Sequence, residues 1–405
     1  MNKISKNSSA FFAAPREKNG TRGESGGIAH AESRSCGKKW SIVRLGEVGK
    51  INYGTRIRSK DSTSNDYPVY GGGGKTFGWS EFNRENQCVV SRFAMSEECV
   101  RYVSGRFFLN DSGLTVDVNN ERINQCYLNW FLLGHQKQIY SLGRGCAQKN
   151  LRVDEFLNLR LPLPSLSEQR RIAGVLDRIS EMKRNVEARI KKLDLLVKAR
   201  FSEMFGDGGG DGRGNGEEGR GKRGSRGDDF NAETQRRRGT KMVRLGDVAS
   251  LKAGKFISAK NISMCGRYPC YGGNGIRGWV ETYNQEGVFP LIGRQGALCG
   301  NVQLAKGRFY ATEHAVVVKP IVEWHPIYML YLLRKENLGR YATGAAQPGL
   351  SVTKLEGLNL FTAPLSLQQE FAAFVEKVES LKAIAKKELE KVDLLYRAKL
   401  QEFFG

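Results

Sequence analysis

The sequence predicts an α+β protein. It should hold two copies of a mixed, β-rich domain, each followed by a long helix, with the two helices paired as an antiparallel coiled coil about a pseudo-two-fold axis. Three observations predict this. First, the 405-residue chain repeats itself at an offset of about two hundred residues. Leu45-Gly46-Glu47-Val48 returns as Leu245-Gly246-Asp247-Val248. Pro68-Val69-Tyr70-Gly71-Gly72-Gly73-Gly74 returns as Pro269-Cys270-Tyr271-Gly272-Gly273-Asn274-Gly275, and Gly105-Arg106-Phe107 returns as Gly307-Arg308-Phe309. Second, each copy ends in a charged stretch of helical periodicity that closes on Phe-Gly, at Phe205-Gly206 and Phe404-Gly405. Third, the stretch between the copies is roughly one-third glycine, a composition that cannot bury enough apolar surface to offset the entropy of ordering it.

Taken in order, residues 1–39 are rich in Ser, Gly, Lys and Glu without apolar periodicity and are expected to be a disordered extension, with structure beginning at Trp40. Residues 40–164 form the first domain. Its β-rich runs lie at Gln87-Cys88-Val89-Val90, Arg101-Tyr102-Val103 and Leu114–Val118, and one helix is expected around Tyr127–Leu133. Residues 165–206 form the first long helix, opened by the capping box Ser165-x-x-Glu168. Residues 207–239 are the linker. Residues 240–364 repeat the domain, with strands expected at Gly287–Ile292, Asn301–Leu304 and Ala315–Val318 and a helix around Tyr328–Leu333. Residues 365–405 form the second long helix, with a capping box expected at Ser366-x-x-Gln369.

In the long helices, Ile172, Leu176, Ile179, Val186, Ile190, Leu193 and Val197 recur in steps of three and four, with one step of seven. Val375, Val378, Leu381, Ala385, Leu389, Val392 and Leu395 recur in steps of three and four in the second. Such a stripe, flanked by charge, is a packing seam, and each helix has its partner in the other. A helix of about 39 residues is a rod of roughly 58 Å, too long to lie on a domain of this size.

Composition narrows the function. Lys and Arg total 64 against 42 Asp and Glu, a net charge of +22 spread over both repeats, which favours a large polyanion such as nucleic acid. The eight cysteines include no Cys-x-x-Cys pair, and the four histidines stand at no ligand spacing, so no metal site is expected. No apolar run reaches the roughly 20 residues of a membrane span, and the expected location is the cytoplasm.

No catalytic residues are expected. Gly74-Lys75-Thr76 has Val69 where a phosphate loop needs its first glycine. Asp177, Glu181 and Lys183 imitate nuclease spacing but lie on the charged face of a helix, where ion pairs explain them. The chain contains no Pro-Pro, so the Asn/Asp-Pro-Pro-aromatic loop of a base-amino methyltransferase is absent. His314 and His325 have no repeat partners and are read as structural.

What remains are cations and amides in matching loops. Arg92 parallels Arg294-Gln295, and Gln148-Lys149 lies in a stretch that parallels the one around Gln347; Arg and Gln carry the forked donors and acceptors that read base edges. Arg56, Arg58, Lys60 and Lys75 in the first copy, with Lys255, Lys260 and Arg277 in the second, are candidate phosphate anchors.

At this point the chain resembles the DNA-specificity subunit of type I restriction–modification enzymes. The resemblance runs from Trp40 to Gly206 and again from Met242 to Gly405. It rests on the Leu-Gly-Glu/Asp-Val opening, the Pro-x-Tyr-Gly-Gly-x-Gly turn, the Ile292-Gly293-Arg294-Gln295-Gly296 loop and the Leu161–Ala173 lead-in to the long helix. It implies that each domain recognises one half of a split, asymmetric site in double-stranded DNA, and that the paired helices set the spacing of the halves. Half-sites one helical turn apart have centres some 34 Å from each other, within the reach of such a rod. It also implies two methyltransferase subunits and a motor–nuclease restriction subunit as partners. Those partners would bring S-adenosylmethionine, ATP and Mg, leaving this chain without a cofactor. The Gly/Arg-rich linker departs from the family pattern and suggests a fusion of two half-length subunits. Two other readings stay open: a stand-alone DNA-modifying or cleaving enzyme, and a coiled-coil adaptor without sequence preference.

Overall fold

The structure, a computed structural model, describes residues 33–35, 38–145, 148–206, 241–296, 298–344 and 348–405. Most of the expected N-terminal extension, the linker and Gln347 lie outside the described residues. The chain divides into two compact units, Met1–Arg178 with Tyr396–Gly405, and Ile179–Leu395.

The first unit is built on an open six-stranded sheet. Its strands run in the order Gly49–Tyr53, Gly113–Val118, Arg84–Ser91, Val100–Leu109, Tyr67–Gly71, Gly74–Trp79. Every pairing is antiparallel except that of Tyr67–Gly71 with Val100–Leu109, where Val69 faces Phe108. The second unit repeats the order with Ala249–Ala253, Ala315–Pro320, Gln285–Gly293, Val302–Ala311, Tyr268–Gly272 and Gly275–Val280, again with one parallel pairing, Cys270 beside Tyr310. The expected β runs fall inside these strands, except that Asn301 lies one residue before Val302–Ala311. A smaller sheet joins the start of each domain to its end: Lys38–Arg44 pairs with Arg160–Leu163, and Lys241–Arg244 with Asn359–Thr362. Ser33–Ser35 also pairs with Lys38–Arg44, so strand structure begins before Trp40.

The repeated Leu-Gly-Glu/Asp-Val is a single helical turn, Leu45–Val48 and Leu245–Val248, held by its two buried apolar ends. Its glycine is a contact requirement. A Cβ on Gly46 would sit 3.3 Å from the Leu157 side chain, and one on Gly246 3.0 Å from that of Glu356. The domain helices Gln125–Gly134 and Pro326–Lys335 pack on their sheets through Tyr127 and Tyr328. Each tyrosine is fully buried, its hydroxyl donating to a backbone oxygen, Pro162 O at 2.7 Å and Phe361 O at 2.8 Å. Burial drives both phenols well above their ordinary pKa.

The long helices span Leu166–Phe205 and Leu365–Phe404. Ser165 caps the first, accepting from Glu168 N at 3.3 Å. The second differs from expectation: Ser366 lies inside its first turn, and Pro364 O accepts from Leu367 N and Gln368 N. The two helices therefore correspond at an offset of 199 residues, which takes Leu166 to Leu365, Phe205 to Phe404 and Gln169 to Gln368. Gln169 and Gln368 are buried pins that periodicity did not disclose. Gln169 accepts from Asn124 N at 2.8 Å and Gln368 from His325 N at 2.8 Å, each fixing the domain helix to the long one.

Within the second unit the two helices run antiparallel. Lys183 pairs with Asp393 at 2.7 Å and Lys382 with Asp194 at 2.6 Å, and the offset of 199 exchanges these two pairs. Arg189 and Glu388, themselves equivalent positions, meet at the local pseudo-two-fold axis. Ile179, Val186, Val197, Val375 and Val378 are buried; Ile190, Leu193, Leu389 and Val392 are half-buried. Leu381 and Leu395 differ from expectation: they are 53% and 40% exposed, while Ala385 and the Lys382 stem take the inner side. Ile172 and Leu176 pack instead in the core of the first unit.

The helix ends have a role of their own. Phe403 and Phe404 are buried in the core of the first unit, with Phe404 5.3 Å from the Tyr127 ring. Phe201 and Phe205 are buried in the second, with Phe205 4.8 Å from Tyr328. The tail of each repeat thus completes the core around the other repeat's sheet. Gly206 and Gly405 end the helices at positive φ, +77° and +85°.

Candidate nucleic-acid interface

In each unit the candidate loops meet at one end of the six-stranded sheet, around the turn that joins its two buried strands. In the first unit Gly54 N donates to Gly113 O, Asn110 N to Tyr70 O, Arg92 N to Ser112 O and Leu151 N to Arg92 O, at 2.9–3.2 Å. In the second, Gly254 N donates to Ala315 O, Thr312 N to Tyr271 O, Arg294 N to His314 O and Leu350 N to Arg294 O, at 2.8–3.0 Å. The backbone scheme is the same, and it establishes Arg92 and Arg294 as equivalent positions. These backbone bonds lock loops that are distant in sequence to one another.

The side chains in this frame differ. In the first unit Arg92 is clasped: Nη1 donates to Asp111 O at 2.9 Å, and the guanidinium lies 4.3 Å from the Tyr53 ring centre and 4.7 Å from that of Phe93. Tyr53 and Phe93 are both exposed and were not anticipated from the sequence. Lys149 lies 4.0 Å above the Tyr140 ring, while Gln148, Arg56, Lys60 and Lys75 are exposed. Arg58 is held in a two-pronged pair with Asp61 at 2.7 and 3.2 Å, which occupies the groups a phosphate would use.

In the second unit Lys255, Lys260, Arg277 and Gln295 are exposed. Arg277 and Gln295 share an open pocket with Asn274, Ile276, Leu298 and His314. Arg294 is different: it is partly buried, and its Nε is shielded from solvent without a hydrogen-bond partner. His314, which has no counterpart histidine, places Nε2 3.1 Å from Glu313 Oε1. Among the described residues no group of three His, Cys, Asp or Glu side chains could hold a metal ion. No described helix is long and apolar enough to cross a membrane.

Residues 37–194 and 238–394 each match the type I restriction modification DNA specificity domain. The chain belongs to this family. The two matches fall on the two repeats, so the specificity domain includes the sheet, its loops and most of the long helix. The EcoprrI type I restriction enzyme specificity subunit of Escherichia coli is 48% identical over 141 residues, 34% of this chain and 35% of that protein. A putative type I restriction enzyme specificity subunit of Haemophilus influenzae is 28% identical over 124 residues, 30% of this chain and 32% of that protein. The matches to these two relatives thus span about a third of their length. A putative type I specificity subunit of Mycoplasma pneumoniae matches more of the chain, 25% identical over 279 residues, 65% of this chain and 68% of that protein.

The fold of the specificity-domain family is seen in the crystal structure of a type I restriction–modification S subunit from M. genitalium. It aligns with a TM-score of 0.62 at 18% identity, over 90% of this chain and 96% of that one. A chain described with complex assembly and conformational transition of the type I R-M system aligns with a TM-score of 0.51 at 17% identity, over 90% of this chain and 98% of that one.

Proposed function

We propose that this chain is a non-catalytic, sequence-specific DNA-binding subunit of a type I restriction–modification complex, reading a bipartite, asymmetric site. The observation that carries the proposal is the pair of loop clusters: one backbone frame built twice within a family of DNA specificity domains, presenting different side chains each time. A shared frame suits two contacts with the same duplex, and different side chains suit two different half-sites. The net charge of +22 supplies the sequence-independent attraction on which such reading rests.

Methylation of adenine and restriction are assigned to partners, two methyltransferase subunits and a motor–nuclease subunit, which would bind S-adenosylmethionine, ATP and Mg. The helix pair supports two copies of one partner. Asp194-Leu195-Leu196 and Asp393-Leu394-Leu395 are equivalent at the 199 offset, and all four leucines are exposed. Two equal apolar patches suit two equal subunits.

Co-expression with the neighbouring methyltransferase gene product, followed by mapping of methylated adenines in genomic DNA, tests the function. A split motif whose two halves differ is the expected result; methylation without a motif, or methyl transfer by the purified chain alone, refutes it. Replacing Leu195 or Leu394 by Glu should each remove one methyltransferase copy, read as the mass of the intact complex.

A further inference from the structure

We infer that the pocket lined by Arg277, Gln295 and His314 in the second unit takes the edge of one base of the half-site read there, with these three side chains setting the preference. The inference deepens the proposed function and rests on it. The pocket opens where the loops of this unit converge, between the glycine turn and the Gln295 and Leu298 side chains. Its lining combines a guanidinium, an amide and an imidazole, a set of donors and acceptors suited to the mixed pattern of a base edge. The rim is apolar, formed by Ile276 and Leu298, 55% and 52% exposed. A phosphate gains nothing from such a rim, whereas a base presents apolar atoms to it.

Charge separates the two kinds of ligand further. The Glu313 carboxylate stands directly behind His314, and its Oε2 is shielded from solvent with no hydrogen-bond partner. A carboxylate beside the pocket, with only its Oε1 paired, opposes a phosphate but tolerates a neutral base. Arg294 is then a positioning residue. Its amide donates to His314 O at 3.0 Å and its oxygen accepts from Leu350 N at 2.8 Å, so it ties the His314 turn to the neighbouring loop.

The first unit shows the same place filled. Ser112 stands where His314 does, and its hydroxyl is occupied, donating to Asn110 Oδ1 at 2.6 Å and accepting from Gly72 N at 3.0 Å. Arg101 donates to Gly72 O at 2.6 Å and covers the turn. The lining of the pocket is therefore set by side chains of the second repeat, not by the shared frame.

The test uses the full chain with its methyltransferase partner and a library of duplexes randomised across both half-sites. Arg277 and Gln295 are exposed, so Arg277→Ala and Gln295→Ala leave the core intact; His314→Ala is the third variant. Each should relax the preference about ten-fold or more at one or two adjacent positions of a single half-site, with the other half unchanged. Equal weakening on every sequence, with a shallower salt dependence, would mark a phosphate contact and overturn the inference. An unchanged preference profile, or a change in both halves, overturns it as well. If the wild-type chain itself shows no preference, the proposed function fails along with the pocket; a wild-type preference that the variants keep sinks the pocket alone.

Discussion

The two repeats agree in strand order, in the single parallel pairing and in the hydrogen bonds between their loops, and they part company at the side chains those loops carry. Ser91 and Gly293 show how the difference is accommodated. They occupy the same strand end beside the same glycine turn. In the first unit Ser91 Oγ donates to Gly72 O at 2.6 Å, a buried hydroxyl bridging strand and turn. In the second the bridge is gone, and the backbones close up: a Cβ on Gly293 would lie 2.1 Å from Gly273 O. One repeat ties the turn down with a side chain, the other with backbone contact, and the second leaves an open pocket in front. The frame is thus conserved within the molecule while the surface it presents is not.

The feature in which the repeats agree most closely should cost most to remove. Phe205 and Phe404 end equivalent helices and fill equivalent places beside Tyr328 and Tyr127. Replacing either by Ala in the full chain should destabilise it by about 3–5 kcal/mol, read as a shift of the urea midpoint. If one replacement were near neutral, the two tails would not be equivalent anchors.

The Ser91–Gly293 contrast gives the next effect. Gly293→Ser should cost about 1–3 kcal/mol, because the intruding atom meets a backbone oxygen that cannot turn aside. The reciprocal Ser91→Gly removes a hydrogen bond and adds backbone freedom, about 1–2 kcal/mol together. Equal tolerance of both exchanges, measured by thermal unfolding, would show that the two turns are interchangeable and the contrast unimportant.

Much of this was legible in the sequence, and the gaps have physical causes. The repeat, the strands and both long helices follow from periodicity and turn chemistry, which are local. Ser366 misled because a capping-box pattern was present one residue inside the true helix start, where Pro364 supplies the turn. Leu381 looked like a seam residue because its spacing is right; only the partner helix decides that it stays exposed while Ala385 is buried as its spacing predicts. Gln169, Gln368 and the Tyr53–Arg92–Phe93 stack were illegible because each depends on groups far apart along the chain. His314 was read as structural for lack of a repeat partner, and that lack is what makes the second loop cluster distinctive.

The exchangeable ion pairs offer a finer test. Lys183–Asp393 and Lys382–Asp194 are equivalent, yet the lysine side chain is 39% exposed in one and 14% in the other. Lys382 also holds Glu379 at 2.8 Å. Asp194→Asn should therefore cost more than Asp393→Asn, with both below about 1 kcal/mol because solvent and salt screen them. Double-mutant cycles with the lysines replaced by Met would resolve the order; equal couplings would mean that burial of the lysine stem adds nothing.

A further contrast separates the repeats by pH. A histidine flanks each domain helix at opposite ends: His135 follows Gln125–Gly134, and His325 precedes Pro326–Lys335. Burial lowers the pKa of both below the ordinary value, so both favour the folded state when neutral. The stabilisation is present above the unfolded value of about 6.5 and is lost as pH falls below it through the folded value. The consequences differ. His135 Nδ1 lies 2.9 Å from Phe131 O, a contact that requires a proton there and survives protonation of the other nitrogen. His325 Nδ1 accepts from Ile327 N at 3.3 Å, and a proton on that nitrogen destroys the cap. Lowering the pH from 7.5 to 5.5 should thus weaken the second helix start by about 1 kcal/mol, the worth of an N-cap. His325→Asn keeps a capping oxygen that does not titrate, and the variant should lose part of the chain's pH sensitivity in urea unfolding. His135→Asn, by contrast, should lower stability at both pH values. If His325→Asn leaves the pH slope untouched, the cap does not titrate in this range and the two histidines are equivalent after all.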